Sequence, residues 1–207
     1  LTKIDYIPDD GAMRPAVIEE LHPVVSDSHG GLYRMLAIDV ANKKTVVAAY
    51  SPIAQDAGYG VSYFTTAWLG SKGWWSKDNN TAYFIDHQRG DKSRSVVAFN
   101  TDTGVTQVLF TEETDTAFKV QEVGLFKSLP ETNELLWLSS KDGWPHLYLY
   151  DLTTGKLKKQ VTQGDWVVRD IIHTDSKNRE VILGVGGRIT ENAREPYYRE
   201  IIKVNID

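Results

Sequence analysis

The chain of 207 residues contains no cysteine, which excludes disulfides, thiolate metal sites and cysteine nucleophiles. Helical periodicity is almost missing as well. The best helix-like windows, residues 15–21 and 112–121, are short and carry no sustained apolar stripe. No run approaches the ~18 apolar residues that a membrane-spanning helix needs. A long basic run is also lacking and the formal charge is −5, which argues against nucleic acid or an anionic membrane as partner. What is present is the composition of a folded protein: 41% hydrophobic and 25% charged residues speak against wholesale disorder. Six Trp, ten Tyr and 16 Gly suit a β-rich fold with many turns.

Strand-like runs fill the chain at 32–40, 45–49, 81–86, 95–99, 134–139, 147–150, 180–185 and 200–204. Turn-formers separate them, such as Lys77-Asp78-Asn79-Asn80, Thr101-Asp102-Thr103-Gly104, Lys141-Asp142-Gly143 and Thr153-Thr154-Gly155. Four runs end in the same way, on Asp39, Asn100, Asp151 and Asn205, each followed by a turn. Two of those turns continue with Thr-Gly, and a Lys pair fills the place in the first. A second element recurs earlier in each unit: a polar turn at 76–80, 127–133 or 173–178 leads into a strand. The resulting unit of about 50 residues reads as four antiparallel strands, the signature of a propeller blade.

A β-sandwich has strands of similar spacing but does not demand the same turn chemistry at a fixed period. The fold expected is therefore all-β: a partial β-propeller of about four four-stranded antiparallel blades. Their approximate limits are 12–57, 58–108, 109–160 and 161–207, all within one propeller domain. Both ends look cut inside a larger ring. Edges and apolar faces exposed by an opened ring would make self-association of the fragment plausible.

Few residues suggest chemistry. Gly60-Val61-Ser62-Tyr63-Phe64 fails as a nucleophile elbow because Phe64 stands where a second Gly is needed. The five His (His22, His29, His87, His146, His173) are scattered and read as surface or strand-edge residues. Neither Asp5, Asp9 and Asp10 nor Asp86, His87 and Asp91 form a metal-ligand pattern. Gly184, Gly186 and Gly187 read as a hairpin or bulge, and Lys156, Lys158 and Lys159 as a solvated strand face. The expectation is no catalytic residue, no metal and no cofactor. Among the aromatic residues, Trp75 and Trp137 hold repeat positions and are expected in the core. Trp144 follows Asp142-Gly143 in a loop and is the one candidate for contact with a ligand.

The stretch Ser139-Ser140-Lys141-Asp142-Gly143-Trp144-Pro145-His146-Leu147-Tyr148-Leu149-Tyr150-Asp151, then Gln160-Val161-Thr162-Gln163-Gly164-Asp165-Trp166, resembles the N-terminal propeller of dipeptidyl peptidase IV-type serine peptidases. Trp75-Ser76-Lys77-Asp78 and Pro196-Tyr197-Tyr198-Arg199 are similar to further motifs of that family. The matches run through residues 60–207. The resemblance implies an eight-bladed propeller joined to an α/β-hydrolase domain that carries the Ser-Asp-His triad, and this chain matches only propeller. The family's paired glutamates hold the substrate's amino terminus in an aromatic helical context that Glu19-Glu20 lack, so that role is not transferred.

The function so implied is a non-catalytic propeller segment of a serine exopeptidase, forming part of a wall that gates and orients peptide substrates. Its partners would be the parent's hydrolase domain and peptides, with no nucleic acid and no membrane insertion in this segment. The parent would be periplasmic or extracellular. The other reading left open is a binding-only propeller that recognises protein or glycan.

Overall fold

The computed structural model describes residues 2–6, 16–20, 32–54, 73–88, 90–118, 125–188 and 197–207, with backbone alone for most of the first two segments. Among the described residues there is no helix, and every strand pairing is antiparallel. Strands β1 (Thr2–Tyr6) and β2 (Ala16–Glu20) pair with each other. Strands β3 (Leu32–Tyr33), β4 (Leu36–Asp39), β5 (Lys44–Val47) and β6 (Ile53–Ala54) make one long hairpin, with β3 on β6 and β4 on β5. The expected single strand at 32–40 is therefore broken in two, and Ala48 N–H bridges the break by donating to Met35 O at 3.0 Å.

Two four-stranded sheets follow in simple up-and-down order. The first holds β7 (Gly73–Trp75), β8 (Thr81–His87), β9 (Ser93–Asn100) and β10 (Thr106–Glu113). The second holds β11 (Phe126–Leu129), β12 (Glu134–Ser139), β13 (His146–Asp151) and β14 (Leu157–Gln160). Then come β15 (Val167–Asp175), β16 (Glu180–Gly186) and β17 (Arg199–Asn205), a sheet of three strands among the described residues. Of the helix-like windows, β2 covers most of the first, and β10 takes only the first two residues of the second.

Both faces of the middle sheets are apolar, and this decides the architecture. Side chains alternate across a strand. On β12, Leu135 and Trp137 enter a core shared with the β7–β10 sheet, while Leu136 and Leu138 enter one shared with the β15–β17 sheet. On β13, Tyr148 and Tyr150 go one way, Leu147 and Leu149 the other. On β8, Tyr83 and Ile85 face the β11–β14 sheet, whereas Ala82 and Phe84 face a third core against Met35, Ala37, Val46 and Tyr50 of the hairpin. A two-sheet sandwich has one core; here successive sheets are stacked with a core in every gap. Each fully buried Leu or Phe contributes roughly 1.5–3 kcal/mol, and no sheet could keep both faces dry without two neighbours.

The repeated turns dock the sheets. Asn100 Oδ1 accepts from the N–H groups of Asp102 and Thr103 and from Thr103 Oγ1 at 2.8 to 3.1 Å. Asp151 Oδ1 does the same for Thr153 N–H, Thr154 N–H and Thr154 Oγ1, again at 2.8 to 3.1 Å. Each turn then needs a positive φ, supplied by Gly104 (82°) and Gly155 (70°). A Cβ on Gly104 would sit 2.7 Å from the Val47 carbonyl oxygen, and one on Gly155 would collide with that of Leu109. Glycine is thus required where a turn rests on the outer strand of the preceding unit. In the hairpin, Lys43 takes the same place at φ 52° and is exposed.

Candidate functional site

The sequence places Trp144 in a loop, and the structure agrees. It lies in the 140–145 turn between β12 and β13, 41% exposed. Gly143, at φ 100°, closes the turn, and its N–H donates to Ser140 O at 2.8 Å. Asp142 holds it from beside: Oδ1 accepts from Trp144 N–H at 3.2 Å, and Oδ2 accepts from Gln160 Nε2 on β14. Burial pushes the Asp142 carboxyl up, but the Gln160 amide and the Trp144 N–H together outweigh it and hold the group below the usual carboxylate range.

Under the turn lies a polar cluster built on Arg94 and Glu112, a pair the sequence did not single out. Lys141 Nζ sits 3.8 Å from the Tyr148 ring centroid and donates to Tyr150 Oη at 3.2 Å. Burial lowers the Lys141 ammonium's pKa, against the opposing pull of Glu112 and Asp142. Burial, reinforced by Glu112, pushes the Tyr150 phenol up to about 12. Glu112, at the end of β10, accepts from Arg94 Nη2 at 2.7 Å, from Trp137 Nε1 at 2.6 Å and from Ser139 Oγ. Arg94 is buried beneath, between the rings of Phe118 and Trp137 at 4.4 and 4.2 Å, and also donates to Leu138 O at 2.6 Å. This network ties β9 and β10 to β12 and fixes the floor of the Trp144 turn. The sequence signal missed was pairing: Arg94 faces Glu112 across two adjacent strands.

Two expectations fail. Trp75, expected in the core, is 45% exposed. Strand alternation gives the inward side to Trp74, which stacks on Tyr83 at 5.4 Å and meets Phe126 at 5.1 Å. Trp137 is buried as expected. His146 and His87, read as surface or edge residues, are both buried. His146 is held by Thr162 Oγ1 at 3.0 Å on Nδ1 and by the Gly164 carbonyl at 2.8 Å on Nε2, with Trp166 edge-on at 4.9 Å. The Gly164 carbonyl only accepts, so Nε2 carries the proton. Thr162 Oγ1 accepts from Leu147 N–H at 3.0 Å and spends its own hydrogen on Nδ1. Both nitrogens are thereby engaged in hydrogen bonds within the chain. His22 and His29, Ser62 and the possible acidic loop at Asp9 and Asp10 lie outside the described residues. Among the described residues, no three His, Asp or Glu side chains are grouped to hold a metal ion.

What this arrangement can do is present an aromatic ring and a cation on a rigid rim. The comparisons agree with this fold. A candidate dipeptidyl aminopeptidase IV from Bacteroides ovatus superposes with a TM-score of 0.66 at 21% identity, over 90% of this chain and 27% of that one. Porphyromonas gingivalis dipeptidyl peptidase 4 superposes with a TM-score of 0.72 at 14% identity, over 99% of this chain and 26% of that one. The chain thus spans about a quarter of the length of the solved structures it matches. The family model for the dipeptidyl peptidase IV (DPP IV) N-terminal region matches residues 36–207. That match covers well over half of the chain, which belongs to the dipeptidyl peptidase IV N-terminal region family.

Proposed function

We propose that the chain is a non-catalytic arc of a propeller, an eight-bladed ring when complete, in a dipeptidyl peptidase IV-like serine exopeptidase. In that setting the arc forms part of the wall that admits short or flexible peptides, excludes folded proteins and orients the substrate. The observation carrying this reading is the build of the Trp144 turn: an exposed indole on a rim braced by Asp142, Gln160 and the Arg94–Glu112 network. A braced rim positions a substrate at little entropic cost on binding. The triad lies elsewhere in the parent, which we propose to be periplasmic or extracellular.

The test uses the full-length protein and a dipeptidyl-proline chromogenic substrate. Trp144→Ala is expected to lower kcat/KM several-fold with little change in melting temperature. Unchanged kinetics would remove Trp144 from substrate handling, and a full-length product without a G-x-S-x-G segment would sink the peptidase reading. The 207-residue chain alone is expected to show no turnover. Among the described residues, faces with exposed aliphatic side chains include Ile38 and Val40 on the hairpin and Ile172 and Ile201 on the last sheet. We propose that these faces drive concentration-dependent association of the isolated chain, which sedimentation would reveal.

A further inference from the structure

The exposed Trp75 indole lines a cleft of about 390 Å³ between the β4–β5 hairpin and the β7–β10 sheet. That volume falls in the range of about 300–1,000 Å³ typical of small-molecule sites. Round the ring stand Asp39, Lys44, Asn79, Thr101 and Asp102. Asp39 is ionised, since the Asn42 side-chain amide and backbone N–H hold its carboxyl below the ordinary value. Lys44 Nζ leans across the cleft to Asp102 O at 3.4 Å and keeps further donors. Asn79 stands at φ 58°, a left-handed turn position that fixes its backbone beside the ring.

Charges of both signs face this space, so neither ion is well served. An anion meets two carboxylates, and a cation meets the Lys44 ammonium. A hydroxyl, by contrast, donates and accepts at once, and can use the acceptors of Asp39 and Asp102 together with the donors of Lys44 and Asn79. A flat indole with a wet edge suits a ring that has one C–H face and a polar rim. We propose that this cleft binds a neutral, hydroxyl-rich ring: a pyranose, taken either as free sugar or as part of a glycan. The assignment is independent of the peptidase reading, because it uses the opposite side of the β7–β10 sheet from the Trp144 rim.

The test is a titration of the chain with methyl glycosides of glucose, galactose, mannose and N-acetylglucosamine, read on the indole N–H signals by NMR. Lysine methyl ester and inorganic phosphate serve as charged controls. At least one glycoside is expected to move the Trp75 signal at millimolar concentration, leaving the Trp144 signal in place. Asn79→Gly, which suits the positive φ and so preserves the fold, is expected to weaken that shift at least several-fold, as is Asp102→Asn. A Trp75 signal that no glycoside moves, or that only a charged control moves, overturns the proposal. So does a shift that survives both substitutions. A glycopeptide series carrying the responsive sugar separates the sources: tighter binding than the methyl glycoside identifies glycan, and equal binding identifies free sugar.

Discussion

His146 and Gly164 are joined by a hydrogen bond of 2.8 Å from the imidazole Nε2–H to the backbone carbonyl, eighteen residues on in the chain. It closes the loop that carries the polypeptide from β14 towards β15. Val168 N–H completes the closure by donating to Pro145 O at 2.8 Å. His146, Thr162, Gly164 and Trp166 therefore form a clasp between adjacent units.

His146→Ala should destabilise the chain by about 3 kcal/mol, from the cavity left and the stranded Thr162 hydroxyl and Gly164 carbonyl. Urea denaturation followed by far-ultraviolet circular dichroism measures it. A loss below about 0.5 kcal/mol, the size of an ordinary surface change, would mean that the clasp is not structural. His146→Gln keeps a donor and an acceptor on the side chain and should recover part of the loss.

The docking glycines offer a comparison between equivalent positions. Gly155→Ala adds a Cβ against the Leu109 carbonyl at a φ of 70°. The substitution should cost at least the 1–3 kcal/mol, roughly, of a non-glycine residue in a strained backbone region. Lys43→Gly removes a Cβ from the same turn position of the hairpin at φ 52°, and should change stability by no more than about 0.5 kcal/mol. A gain from Lys43→Gly as large as the cost of Gly155→Ala would show that backbone strain, not contact between units, selects the glycine.

The turn chemistry made the repeat legible, since Asp or Asn followed by Thr-Gly leaves a strong local signature. The two-faced strands were legible too: Leu135-Leu136-Trp137-Leu138 has no polar alternation because both of its faces are covered. What escaped was anything that depends on which face a residue takes. Trp74 and Trp75 are identical side chains in adjacent positions, and only the register of β7 on β8 decides which one faces the core. His146 gave no clue to its burial, because its partners Thr162 and Gly164 come from a different segment. The Arg94–Glu112 network required the cross-strand register, which includes an irregularity between Val108 and Phe110.

Removing Glu112 should expose the cost of that network. In Glu112→Gln, buried Arg94 loses a charged partner, while the one amide oxygen can still accept from Trp137 Nε1 and the amide NH2 can donate to Ser139 Oγ. The expected loss is about 3 kcal/mol, the range for breaking one side of a buried ion pair. Thermal unfolding measures it. Glu112→Gln combined with Arg94→Met should be less damaging than the single substitution, because no charge is then left buried; a double variant worse than the sum of both would count against an ion-pair account.

At the start of β12, Glu134 ties the second sheet to the third. Its buried carboxylate is held by Arg179, Lys158 and Thr132, and Arg179 also reaches Asp207 at 2.7 Å. Burial pushes the Glu134 carboxyl up, but the Arg179 and Lys158 contacts outweigh it and leave the group below its usual value of 4.5. The sign follows: a depressed carboxyl contributes stability that is full above the ordinary glutamate value and is lost as pH falls through the lower folded value. Arg179→Met should therefore cost about 2–3 kcal/mol near neutral pH, the low end for breaking a buried pair because Lys158 remains. Below about pH 4 the difference from the parent chain should shrink, as Glu134 is protonated more readily in the variant. Denaturant titrations of both proteins across that range measure the difference at each pH. A gap that stays constant into acid would mean that Arg179 acts through packing and the Asp207 contact, not through the charge on Glu134.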